Sequence, residues 1–282
     1  MKWTAYRVVF KLKSPMHIGC GKVGNVQRTR PYVTGRVFWG ALTMRLTREQ
    51  HQPATDSRQY EEMGNKVHEE LAYSYFYPAT CHNATYQIEY PWDNESRFRR
   101  RFLSSYASTA LVYPQHAADE GLLHEVEFLS PRTLDTGEQV YLVGYVFEKE
   151  GCSLNWKEAC QKLQMGGERG YGWGDLGYIE SEEITDTQFF NPNSHWREQD
   201  GSIVIQVSES GHLLAHTVAQ NVSVHGEIEP LVGREWRSHN STNRYAGQHL
   251  EKFCDPCWIP GSKVRPFSAF VIQKFGIWQV KG

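Results

Sequence analysis

The chain has 282 residues, 40% of them apolar and 22% charged, which suits one large or two small folded domains and excludes wholesale disorder. No apolar run reaches the roughly eighteen residues needed to cross a bilayer, and the opening MKWTAYRVVFKLKSPMH threads charges through its apolar positions, so neither a membrane span nor a signal peptide is expected and a cytoplasmic location is. The formal net charge of −2 hides an asymmetry: residues 1–48 hold ten Lys or Arg and no Asp or Glu, a local +10, against −12 for residues 49–282. A division of that kind points to a polyanion-binding surface in the first sixth of the chain.

The first predicted strand covers Ala5 to Leu12, where Tyr6, Val8 and Phe10 alternate with Arg7, Val9 and Lys11, one face toward solvent. A loop rich in glycine and basic residues follows from Gly19 to Gly35. The pattern of apolar residues from Arg36 to Arg48 predicts a helix of three turns with a wide apolar face. Residues 50–60 read as loop, Glu61 to Tyr75 as a second helix, Thr85 to Tyr90 as a short strand, and Arg97 to Arg101 as a compact basic patch. HEVEFL (124–129) and QVYLVGYVF (139–147) are rich in β-branched and aromatic residues and read as strands joined by a turn at Asp135-Thr-Gly137. Leu154 to Leu163 reads as a helix with Ser153 as its N-cap, and a strand near Leu176 to Glu180 follows a glycine-rich segment. With the region of about 50–120 set aside as an insertion, the order is the β-α-β-β-α-β of a ferredoxin-like domain over residues 1–182. Ser181 to Gln199 reads as an acidic linker, and strands at Ile203–Val207 and Ser268–Gln273 place a smaller α+β domain at 183–282.

Two segments carry chemistry. Gly166-Gly-Glu-Arg-Gly-Tyr-Gly-Trp-Gly174 interleaves five glycines with one Arg for phosphate and two aromatics for bases or sugars. It is not a phosphate-binding P-loop, because no Gly-Lys-Ser/Thr closes it and it runs from helix to strand. In the second, Lys22, Arg28 and Arg30 sit among small residues, with Arg36 and Arg45 on the helix that follows. Such a set gives sequence-independent affinity for a phosphate backbone by releasing counterions. The RNA-binding residues expected are therefore Lys22, Arg28, Arg30, Arg36, Arg45, Gly166, Gly167, Arg169, Gly170, Tyr171, Gly172, Trp173 and Gly174.

FKLKSPMHIGCGK, YVTGRVFWGALTMRL and LQMGGERGYGWGDL, in that order, resemble the RAMP superfamily of CRISPR-associated proteins; the likeness covers residues 5–180 and is weak over 200–282. The resemblance implies an RRM-like, ferredoxin-like RAMP domain with a glycine-rich loop, plus a degenerate second domain. It implies a noncatalytic subunit of a type III effector complex that caps the guide by gripping the 5′ handle of the CRISPR RNA. Its partners would be that RNA, a large signature subunit and backbone subunits, with target RNA met indirectly. In target-cutting relatives an Asp follows the first strand, whereas residues 1–48 here hold no acid, so cleavage of target RNA is not expected. A noncatalytic backbone or end subunit of the same complex remains an alternative. So does a metal-independent endoribonuclease that processes CRISPR RNA, for which His17 and His51 are the candidates; such a reaction needs a paired base and acid, and neither His has an evident partner in the sequence. No cofactor is implied. Cys254-Asp-Pro-Cys257, with His249 and Cys81-His82, contains one C-x-x-C where a structural zinc site needs four ligands.

Overall fold

The computed structural model describes residues 2–114, 117–235 and 249–281. Its centre is an antiparallel sheet in the order Leu176–Glu183, Trp3–Leu12 (β1), Tyr141–Lys149, Tyr77–His82 and Thr85–Ile88, with Leu71–Tyr73 also paired to Tyr141–Lys149. Helices Gly35–Gln50 (α1), Ser57–Glu70 (α2) and the short Trp156–Cys160 complete an α+β fold. The expected β-α-β-β-α-β path is present, but its second strand is Tyr77–His82 and not HEVEFL. Both faces of Tyr77–His82 are covered over its first four residues, so the alternation that would reveal it in the sequence is absent.

β1 follows the predicted period of two. Val8, Phe10 and Leu12 face α1 and join Phe38, Leu42, Leu46, Val67 and Trp156 in one core. The opposite face, expected to meet solvent, is largely covered. Val9 is buried with Ala79 and Val143, and Ala5 lies in a second core with Tyr77, Phe147, Phe189, Ile205, Phe270 and Trp278. That second core comes largely from the C-terminal sheet, built around Asn191–Gln199, Ser202–Val207, Ser268–Ile272 and Trp278–Val280. The expected linker at 181–199 is therefore mostly strand. Asn191–Gln199 turns back on Ser202–Val207 through Asp200-Gly201, both at positive φ, which is the two-residue hairpin chemistry of Asp-Gly.

A second sheet of four strands forms where two excursions from the central sheet meet. Gly19–Val23 (β2) and Val26–Thr29 (β3) make a hairpin where a loop was expected, closed at Gly24-Asn25. β3 then pairs in parallel with His124–Leu129, which pairs antiparallel with Leu103–Ser108. The basic patch forms a helix, Glu95–Phe102 (α3), capped by the Asn94 side chain. The Leu154–Leu163 helix shortens to Trp156–Cys160 and starts after Asn155 instead of Ser153, whose hydroxyl and amide bond Glu70. Among the described residues no helix is long and apolar enough to cross a membrane.

Candidate nucleic-acid interface

The glycine-rich segment is seated against the end of β1. Gly167 N–H donates to the His17 carbonyl (2.8 Å), Gly174 N–H to Pro15 (2.7 Å) and Met165 N–H to Gly174 (2.9 Å). Gly166 has φ +91°, and a Cβ there would sit 2.5 Å from the His17 carbonyl oxygen, so only glycine lets the two backbones meet. Arg169 and Tyr171 project from the loop in a single 3₁₀ turn that also contains Gly170, and Gly172 closes it; Tyr171 is 82% exposed. Trp173 turns the other way and packs edge-on against Phe128, ring centres 5.1 Å apart. His17 is buried with Nδ1 2.7 Å from the Glu127 carbonyl. His51 is the half-buried C-cap residue of α1.

Beside this loop runs a cleft of about 930 Å³ along the outer face of α1, within the size range of ligand sites. Arg36, Gly40, Met44 and Arg48 recur every fourth residue and form its floor. Arg36 and Arg48 are thus about 18 Å apart along the helix. Arg169 reaches across from the glycine loop to place Nη1 3.3 Å from the Met44 sulfur. The third wall is C-terminal and comprises Lys252, Phe253, Lys274 and Phe275. It reaches α1 because Gly35 presents no side chain, and a Cβ there would collide with the Phe275 carbonyl. The Arg36 guanidinium lies 3.9 Å over the Phe253 ring, a cation–π contact that fixes its direction.

The electrostatics of the cleft are one-sided. Arg30, Arg36, Arg48, Arg169, Lys252 and Lys274 line it, against Glu61 as the one acid among the described lining residues. Lys252 pairs with Asp255 at 2.7 Å and Arg30 with Glu229 at 2.7 Å. Arg48, Arg169 and Lys274 have no carboxylate partner among the described residues. Trp39 lines the same cleft, held by Nε1–H donating to the Gly64 carbonyl (2.9 Å) and stacked on His68 at 5.1 Å with rings 3° from parallel. Burial, with the nearby Lys274 charge adding to it, pulls the His68 pKa down to about 3, so the ring is neutral at physiological pH.

The residues expected from the sequence divide in two. Arg30, Arg36, Gly166, Gly167 and Arg169 line the cleft. The rest lie outside it: Lys22 is exposed on β2, Arg28 pairs with Glu127 (3.0 Å), Arg45 with Glu49 (2.7 Å), Gly170, Tyr171 and Gly172 form the exposed tip of the glycine loop, Trp173 packs on Phe128, and Gly174 is buried against Pro15 and Met165. Arg30 is part of a buried network. Burial opposes its charge, but the two bonds it donates to Glu229 (2.7 and 3.1 Å) override that and raise its pKa. Glu229 also accepts from His216, whose other ring nitrogen lies 2.7 Å from the Tyr75 hydroxyl. Burial would raise the Glu229 pKa; these hydrogen bonds draw it down instead, to about 2. Sequence reasoning missed Arg48, Lys252, Lys274, Trp39 and His68. The stripe of positions 36, 40, 44 and 48 was readable on the predicted helix, whereas Lys252 and Lys274 are isolated cations with no local signal. Cys254 and Cys257 hold their sulfurs 3.0 Å apart, and no group of three or more His, Cys, Asp or Glu able to hold a metal occurs among the described residues. The His249 side chain lies outside them.

The sheet order, with the helices packed on it, makes an α+β fold that is shared with a solved structure. One chain of the cryo-EM structure "Type III-B Cmr-beta bound to cognate target RNA and AMPPnP" has this fold, with a TM-score of 0.50 and 13% identity over 92% of this chain and 85% of that one. A crystal structure of a CRISPR protein from Archaeoglobus fulgidus is similar at a TM-score of 0.38 and 11% identity, covering 95% of this chain and 94% of that one. Oligomeric Cmr4 from Pyrococcus furiosus gives a TM-score of 0.32 and 13% identity, covering 65% and 99%. No protein-family model and no curated protein matches the chain.

Proposed function

We propose that this protein is a noncatalytic RNA-binding subunit of a type III CRISPR ribonucleoprotein effector complex. It holds the CRISPR RNA, and its 5′ handle in particular, in the cleft over α1. Neighbouring subunits, a large signature subunit and backbone subunits among them, complete the assembly, and target RNA is met through the guide. The observation that carries this reading is the cleft itself: beside a glycine-rich loop its described residues include six cations and one acid, and Arg48, Arg169 and Lys274 have no carboxylate partner among the described residues. Such a surface binds a phosphate backbone whatever its sequence, while Trp39 and Phe253 add apolar surface to its lining. The noncatalytic part is supported by the absence of any acid in residues 1–48 and by the environments of the two histidines nearest the loop and cleft. His17 is bonded to a backbone carbonyl, and His68 is held neutral with Tyr73 Oη 3.0 Å from its Nδ1. A cytoplasmic location belongs to the same reading.

The test is the double variant Arg48→Glu/Lys274→Glu, with affinity for single-stranded RNA read by fluorescence anisotropy across a salt series. Affinity should fall at least tenfold, and the slope of log K against log salt should lessen by roughly 1.4, about 0.7 for each phosphate that is no longer neutralised. Unchanged affinity and slope would overturn the cleft as the RNA site. A discrete cut of precursor RNA by the wild-type protein in EDTA would overturn the noncatalytic part.

A further inference from the structure

Gly40 lies in the interior of α1, where glycine weakens a helix relative to alanine. Two other glycines at this end of the molecule have evident reasons in the fold: a Cβ at Gly35 would strike the Phe275 carbonyl, and one at Gly64 would press into the Trp39 ring. At Gly40 an added Cβ meets no atom within 4 Å, and the backbone is ordinary helix. Neither packing nor conformation among the described residues accounts for it. The glycine instead leaves a bare stretch of helix backbone in the floor of the cleft. Arg36 stands one turn before it, Met44 with Arg169 against its sulfur one turn after, and Arg48 two turns after. Thr43, in the next turn, is 3% exposed and turns its methyl toward Gly64. Its Oγ1 is buried beneath the cleft wall and has no hydrogen-bond partner among the described residues. An open length of helix backbone thus lies between two sets of cations, which is the complement of a close-packed, negatively charged chain.

We propose that Gly40 is the seat of one ribose–phosphate unit of a single-stranded RNA. The sugar edge lies directly on the α1 backbone, one flanking phosphate is directed toward Arg36, and the other toward Arg169 and Arg48. This rests on the reading of the cleft as an RNA site and adds the position where that RNA comes closest to the protein. The seat excludes by shape, so filling it costs affinity without removing charge.

The experiment uses the full chain with Gly40→Gln and Gly40→Ala, a short unstructured oligouridine as probe, and Arg48→Glu/Lys274→Glu alongside. Gly40→Gln should melt at or above the wild-type temperature and bind the oligonucleotide roughly tenfold more weakly. Its salt slope should match that of wild type, and Gly40→Ala should fall between the two. Wild-type affinity in Gly40→Gln, with weakened binding in the charge variant, would overturn the seat and leave the cleft reading intact. Unchanged affinity in both, or no binding by the wild type, would overturn both. Should Gly40→Gln melt early, Gly40→Ala decides: equal affinity to wild type at equal stability goes against the seat.

Discussion

Arg28 and Arg101 on the second-sheet side of the molecule, and Arg48 and Lys274 in the cleft, carry the same formal charge in very different surroundings. Arg28 meets Glu127, which also pairs with Arg99 and accepts from the Thr29 backbone amide. Arg101, with only 8% of its side chain exposed, is shared among Glu89, Asp135 and Glu138. Each of these cations is answered by acids distant in sequence and close in space, so its charge holds the fold together. The cleft cations Arg48 and Lys274 face solvent with no carboxylate partner among the described residues, so their field remains available to a polyanion. A count of basic residues cannot separate the two regions; the position of the acids does.

The largest effect expected on the structural side is at Arg101. Arg101→Ala leaves three carboxylates together without their cation, and unfolding free energy in urea should fall by roughly 3 kcal/mol. Because the Asp135 side chain is 46% exposed, a loss under about 1 kcal/mol would show that water already screens this network, which would blur the contrast with the cleft. A smaller, pH-dependent effect belongs to His68. Its folded pKa of about 3 lies below the ordinary value of 6.5, so the unfolded chain takes up a proton first as pH falls. The stability that neutral His68 contributes is full above about pH 6.5 and is lost progressively on acidification toward pH 3. Melting temperature measured from pH 7 to 4.5 should therefore decline, and His68→Phe should flatten the decline; an unaltered profile would mean that the ring is open to water in the cleft. The smallest effect is at Arg45, an exposed partner of Glu49 one turn away. Arg45→Ala should cost about 0.3–0.5 kcal/mol and leave RNA affinity alone. A measurable drop in affinity would extend the proposed RNA surface beyond the cleft.

Much of the first half was legible. The alternation in β1, the apolar face of α1, and the β-branched runs at 124–129 and 139–147 all form strands or helix as expected, the last shifted to Tyr141–Lys149, because local periodicity follows directly from which face is buried. Failures fell where that signal is absent or is outweighed. Tyr77–His82 is covered on both faces and shows no alternation. The Gly24-Asn25 and Asp200-Gly201 turns carried hairpin chemistry but lay in segments whose polarity suggested loop and linker. Of the expected RNA-binding residues, Arg30, Arg36 and those of the glycine loop near His17 line the cleft. Arg28 was indistinguishable from them as a letter, since Glu127 lies 99 positions away, whereas Glu49 four residues after Arg45 is a local sign of its pairing.

By itself the sequence determined where positive charge could accumulate, since an acid-free stretch of 48 residues leaves most of its cations without partners nearby in the chain, Arg45 with Glu49 apart. It also determined that α1 would expose Arg36, Gly40, Met44 and Arg48 on one stripe, because helix periodicity is a local property. Only the tertiary structure decided which cations stay available. Long-range packing brings Glu127 and Glu229 to Arg28 and Arg30, and the close approach of Phe275 to Gly35 carries Lys274 to the far wall of the cleft. Pairing of charges depends on distances of a few ångströms, and the folded chain sets those distances between residues that lie far apart in the sequence.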